Sequence, residues 1–91
     1  MVRWTKLAKE SWNALLEPQQ RQSLVQRAIE LLDDIADDPQ VAWKDAQEVS
    51  VKRVSRPIRR TLIELGTPSL WIYWSLDARH GAIILDILFD N

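Results

Sequence analysis

Two long apolar runs close this sequence: residues 70–76 (LWIYWSL) and residues 82–89 (AIILDILF), separated only by residues 77–81 (DARHG). Runs of that length, joined by turn-forming residues that end in Gly81, predict a β-hairpin. Strict alternation puts Leu70, Ile72, Trp74 and Leu76 on one face of the first strand, and Trp71, Tyr73 and Ser75 on the other. In the second strand it groups Ile83, Leu85, Ile87 and Phe89 against Ala82, Ile84, Asp86, Leu88 and Asp90. A sheet face turned to water carries polar residues at every second position. Here large side chains stand on both faces. The hairpin is therefore expected at the centre of a sheet, its second face covered by another element or by a partner.

A chain of 91 residues makes one small domain, and a domain of this size buries only about two thirds of its unfolded surface. Its hydrophobic fraction of 46% and its five tryptophans suffice for one compact core. Cysteine is absent, which excludes disulfides and thiolate metal sites and suits a reducing compartment. No apolar stretch approaches the roughly 20 residues that span a bilayer. The start lacks the basic-then-apolar pattern of a secretory leader. The expectation is a soluble, cytoplasmic protein with no membrane partner.

The net charge of −1 conceals two opposed blocks. Residues 30–38 hold Glu30, Asp33, Asp34, Asp37 and Asp38 without a base. Residues 44–60 hold Lys44, Lys52, Arg53, Arg56, Arg59 and Arg60 against Asp45 and Glu48. The second block allows a local anion site on a chain whose overall charge does not favour nucleic acid. The alternative is that both blocks are ordinary solvated faces that partly neutralise each other.

Along the chain, residues 2–5 (VRWT) are short and β-prone. Thr5 is a plausible N-cap for a helix to about Leu16, because its hydroxyl can accept from a free amide of the first turn. Leu7, Ala8, Trp12, Leu15 and Leu16 fall three or four apart and form its stripe. Pro18 suits the first position of a second helix, which presents Leu24, Val25, Ala28, Leu31, Leu32 and Ile35 on one face. Asp38-Pro39 ends it, since a residue before proline is pushed out of the helical region. Residues 49–54 and 60–65 read as strands, although Ala42, Ala46 and Val49 also fit a helical stripe. Gly66 and Pro68 mark a turn. Two striped helices and a sheet with two apolar faces are satisfied together if the helices pack on one sheet face. The fold expected is α+β: an N-terminal strand and a two-helix hairpin on one face of a small, mainly antiparallel sheet, the other face open.

Strong catalytic signatures are lacking. With only Gly66 and Gly81 there is no glycine-rich phosphate loop, and a single histidine excludes a His-rich metal site. No metal and no cofactor is expected. His80, in the hairpin turn, reads as a tolerated polar residue or as a functional one. The basic block is the best chemical candidate. Cleavage of RNA by its own 2′-hydroxyl, without a metal, needs cations to hold the phosphate and a group to move a proton. Arg56, Arg59 and Arg60 can supply the first; Tyr73 or Lys52 can supply the second. Aromatic side chains beside such a groove can stack unpaired bases. Trp71 and Tyr73 read either as that platform or as plain packing.

The order of elements resembles the RelE/ParE superfamily of toxins from bacterial toxin–antitoxin pairs. The resemblance rests on Val2, Arg3, Trp4 and Thr5 leading into Leu7, Ala8, Trp12 and Leu15, then Leu24, Ile29, Leu31, Leu32, Asp38 and Pro39. It rests also on residues 70–77 (LWIYWSLD) and 81–88 (GAIILDIL), similar to the family's last two strands. It implies a small toxin neutralised by an antitoxin that wraps an extended or helical segment over the sheet and helices. It further implies either ribosome-dependent mRNA cleavage or inhibition of DNA gyrase. In such a protein Arg59, Arg60 and Tyr73 would be catalytic, and Lys52, Arg53 and Arg56 would bind RNA. Trp71, Ile84 and Leu88 would meet the antitoxin. Near the start of the strand after the basic block, where RelE-like enzymes carry an arginine, this chain has Leu70 and Trp71.

Overall fold

The computed structural model describes residues 2–16, 22–49, 57–63, 69–77 and 81–90. Thr5 starts the fold. After strand β1 (Val2–Trp4) its amide donates to the Ile84 carbonyl at 3.0 Å. Its hydroxyl donates to the Leu85 carbonyl at 2.7 Å and accepts from the Ala8 amide at 3.1 Å. One side chain thus caps helix α1 (Lys6–Leu16) and ties it to the sheet. Ala8 is fully buried, and Trp12 leans on Trp4 with ring centroids 5.9 Å apart. Leu7, expected in the apolar stripe, is more than half exposed.

Helix α2 (Gln22–Asp37) buries Ala28 and Ile35, with Val25, Leu31 and Leu32 packed around them. The expected restart at Pro18 lies outside the described residues. The chain does leave the helix before Pro39, and it enters another at once. The Asp38 carboxylate accepts from the Val41 amide at 3.2 Å, and Pro39 opens a short helix α3 (Pro39–Asp45). Proline stops one helix and starts the next, because it lacks only an N–H that a first turn leaves unpaired.

The sheet has five strands in the order β1-β5-β4-β3-β2, with β2 (Gln47–Val49), β3 (Ile58–Ile63), β4 (Ser69–Asp77) and β5 (Gly81–Asp90). Among the described residues only the β1–β5 pair is parallel. The terminal hairpin is central, as its two-sided apolar character requires. Gly81, paired with Asp77, has φ 87°, a left-handed conformation that glycine adopts without a Cβ clash. The helices lie on one face, and the result is the expected α+β domain. The turn at Gly66 and Pro68, most of the strand expected over 49–54, and His80 lie outside the described residues.

The structure corrects the expected faces of β5. Tyr73 pairs with Asp86, but Trp74 pairs with Ile84, so Leu85 is an extra residue in the ladder. Such a β-bulge shifts the alternation by one. Ala82 and Ile84 face the helices before it, and Ile87 faces them after it; all are buried. Ile83, Leu85, Ile87 and Phe89 therefore do not share a face. Ile84, expected to meet a partner, is 0% exposed and belongs to the core. That core joins Ala8, Ala28 and Ile35 of the helices to Ile63, Leu70, Ile72, Trp74, Ala82, Ile84 and Ile87 of the sheet. At its centre the Trp74 indole N–H donates to the Thr61 hydroxyl at 3.0 Å, so the largest buried side chain leaves no unpaired donor.

Candidate interaction surface

The cross-strand register sorts the side chains turned away from the helices into rows. One row runs Leu62, Trp71, Leu88 across the three adjacent strands β3, β4 and β5. Leu62 is 38% exposed and Leu88 46%, and Trp71 is half-buried between them. The neighbouring row runs Gln47, Arg60, Tyr73. Leu62 was not singled out from the sequence, although it stands two residues beyond Arg60 and so on the same face.

Arg60 is held in place by neutral groups. Its Nε donates to the Gln47 amide oxygen at 2.9 Å and its Nη1 to the Tyr73 hydroxyl at 3.3 Å. The guanidinium carbon lies 3.9 Å from the centre of the Trp71 ring, close enough for a cation–π contact. Among the described residues no carboxylate pairs with it. Asp86, which stands opposite Tyr73 in the ladder, is engaged elsewhere. Its carboxylate accepts from the Ser11 hydroxyl of α1 at 2.7 Å and from the Ile87 amide at 2.8 Å. The bulge turns that acid toward α1, and among the described residues Arg60 is a cation held by neutral groups with no carboxylate partner.

Arg59 lies on the other face. Its Nη1 donates to the Trp43 carbonyl at 2.6 Å, its guanidinium carbon sits 4.8 Å from the Trp43 ring centre, and Nη2 reaches Glu48 at 3.3 Å. Trp43 in turn meets Trp74 edge-on at 5.2 Å. Arg59 thus clamps α3 against β2 and β3, on the side away from Arg60 and Tyr73. Of the expected catalytic group, the structure brings Arg60 and Tyr73 together and sends Arg59 to a structural position. Period-two alternation puts consecutive residues on opposite faces, so this separation was implicit in the dipeptide itself. Lys52, Arg53 and Arg56 lie outside the described residues. Trp71 and Leu88 are on the open face as expected; Ile84 is not.

Ser75 closes one end of that face. It is buried, and its hydroxyl donates to the Pro57 carbonyl at 2.7 Å. On the helical side, α2 and α3 enclose a cleft of about 380 Å³ lined by Leu31, Ile35, Val41 and Ala42 and edged by Asp34, Asp37, Asp38 and Asp45. Asp34, Asp37 and Asp38 of the acidic block come to lie at its edge. Among the described residues no helix is long and apolar enough to cross a membrane.

The open face combines an apolar row, a phenol and a guanidinium that has no carboxylate partner among the described residues. It can seat a group that is apolar on one side and anionic on the other. No protein-family model matches the chain, and no curated protein is significantly similar to it.

Proposed function

We propose that this chain is the toxin component of a toxin–antitoxin pair, and that its open sheet face is the surface a cognate antitoxin covers. The observation that carries the reading is the Leu62–Trp71–Leu88 row, in which two leucines are more than a third exposed beside a large aromatic ring. Contiguous apolar surface of this kind, rimmed by polar groups, marks a place where another molecule binds. The order of strand, helical hairpin and terminal strands, similar to RelE/ParE toxins, supports the reading. The test is production of the chain alone and together with the small protein encoded beside it. Growth and translation should stop in the first case and recover in the second. A chain that leaves both untouched when produced alone refutes the proposal.

One observation favours a specific activity within it. The contact between Arg60 and Tyr73, next to the Trp71 ring, puts a cation beside a proton-bearing group, two of the groups that metal-independent RNA cleavage uses. The guanidinium would hold the scissile phosphate and stabilise its developing charge, the phenol would move a proton, and the indole would stack a base. Arg59 takes no part, since it is held against Trp43 and Glu48 on the opposite side of the sheet from Tyr73. Primer extension on ribosome-engaged mRNA tests this with Arg60→Ala and Tyr73→Phe. Cleavage that survives both substitutions removes these residues from the chemistry.

A further inference from the structure

Resting on the reading that Arg60 and Tyr73 act together on a phosphate, we infer that Gln47 is the positioning residue of that site, the one that fixes how the Arg60 guanidinium is presented. The three residues form one cross-strand row: Gln47 on β2 is directly opposite Arg60 on β3, and Arg60 is directly opposite Tyr73 on β4. Side chains paired in this way reach each other on one face of a sheet. The Gln47 amide oxygen accepts from Nε at 2.9 Å, and the Tyr73 hydroxyl oxygen accepts from Nη1 at 3.3 Å. The guanidinium carbon lies 3.9 Å from the Trp71 ring centre. A guanidinium is planar, so acceptors at two different nitrogens set the direction of its plane, while the ring sets its height above the sheet. The bond to Gln47 is the shorter of the two. Without it the guanidinium keeps one longer bond and a ring contact, and can swing on its long, rotamer-rich stem.

Gln47 is exposed and opens a strand of only three residues, so its own place needs an anchor. The other side of the sheet supplies one. The Trp43 carbonyl accepts from the Ala46 amide at 3.2 Å and from Arg59 Nη1 at 2.6 Å. These two bonds fix the exit of α3 into β2, and Gln47 is the residue that follows Ala46. The adjacent arginines thus serve one presentation from opposite sides: Arg59 holds the strand that carries Gln47, and Gln47 holds Arg60. The amide matters as much as its place. A glutamate at this position would accept from Nε equally well, but its charge would pair with the guanidinium and compete with a phosphate for it. An amide oxygen orients the cation and adds no charge.

The test compares the full chain with its Gln47→Ala, Gln47→Glu and Glu48→Ala variants. One readout is the Arg60 Nε–H resonance and its exchange with water. The other is primer extension on ribosome-engaged mRNA over a range of complex concentrations. In Gln47→Ala the resonance should shift and exchange faster. Its maximal cleavage rate should fall about tenfold, the worth of a hydrogen bond to a charged group, while the half-saturating concentration changes less than about twofold. Gln47→Glu should keep the slow exchange and instead raise the half-saturating concentration. Glu48 contacts Arg59 on the other side, so Glu48→Ala should alter neither readout. Because Gln47 is exposed, the melting temperature of its variants should move by less than about 4 °C. An Arg60 resonance indifferent to Gln47→Ala overturns the inference whether or not the chain cleaves RNA. So does an active chain whose rate ignores Gln47→Ala, or one that loses as much in Glu48→Ala. An inactive parent whose Arg60 resonance still depends on Gln47 refutes the cleavage reading and upholds the placement of Arg60.

Discussion

Ile84 and Leu88 offer a sharp test of the bulge at Leu85. They are an even number of residues apart, so an uninterrupted strand would put both on one face and make them about equally costly to truncate. In the structure Ile84 is 0% exposed and Leu88 46%. Ile84→Ala removes a side chain enclosed by the core and leaves a cavity, at a cost of about 2–5 kcal/mol. For 91 residues the whole stability is on the order of 5–14 kcal/mol, so this one change takes a large share of it. Leu88→Ala removes a side chain about half in water and leaves no closed void. Full burial of leucine is worth about 1.5–3 kcal/mol, so roughly 1 kcal/mol or less is lost. Urea unfolding followed by far-ultraviolet circular dichroism measures both, provided the slopes agree. With about 4–8 °C of melting temperature per kcal/mol in a domain this small, the two variants should melt on the order of 10 °C apart. Equal costs, or an Ile84→Ala variant as stable as the parent, would show that β5 alternates without the bulge.

The two adjacent arginines should also separate. Arg59→Ala is expected to cost about 1–3 kcal/mol in thermal unfolding, because the Trp43 carbonyl loses its donor; Arg60→Ala should cost under about 1 kcal/mol, its contacts lying on the open face. A reversed order refutes their assignment to opposite sides of the sheet. Thr5→Ala should lower stability by about 0.5–2 kcal/mol through loss of the cap, and Thr5→Ser should restore most of it, as hydrogen exchange of the first turn of α1 would report. Ser11→Ala should cost about 1.5–3 kcal/mol, the value of a hydrogen bond to a charged group. An unchanged denaturant midpoint would mean that Asp86 is not tied to α1 by that hydroxyl.

Much of this architecture was legible in the residues. The α2 stripe of Ala28, Leu31, Leu32 and Ile35 sits three and four apart, and no other regular structure buries such a set on one side. Thr5 reads as a cap because a hydroxyl before a helical stripe has an amide to accept from. The two-faced hairpin announced a central position, which β4 and β5 occupy. The candidate site was legible only in part. Arg60, Tyr73, Trp71 and Leu88 were identified and do share the open face. Gln47 and Leu62, which complete their rows, were passed over because a glutamine and a leucine carry no chemical signal by themselves. Ile84 was misplaced because residues 82–85 (AIIL) are apolar at every position. A continuous run has no phase, so nothing in it reveals where alternation slips by one.

The amino-acid order by itself determined helices α1 and α2 and the terminal hairpin, since periodicity and capping are local properties of the chain, but it did not determine α3 or β2. It also put large side chains on both faces of the last hairpin, which sets that hairpin inside the sheet. Only the tertiary structure decided which side of that hairpin stays open, because a single bulge redirects every side chain after it. It decided, too, that Arg59 is held by the carbonyl and ring of Trp43 while Arg60 meets only neutral partners among the described residues. The role of a guanidinium is set by the acceptors that folding brings within reach, and those lie far away in the sequence.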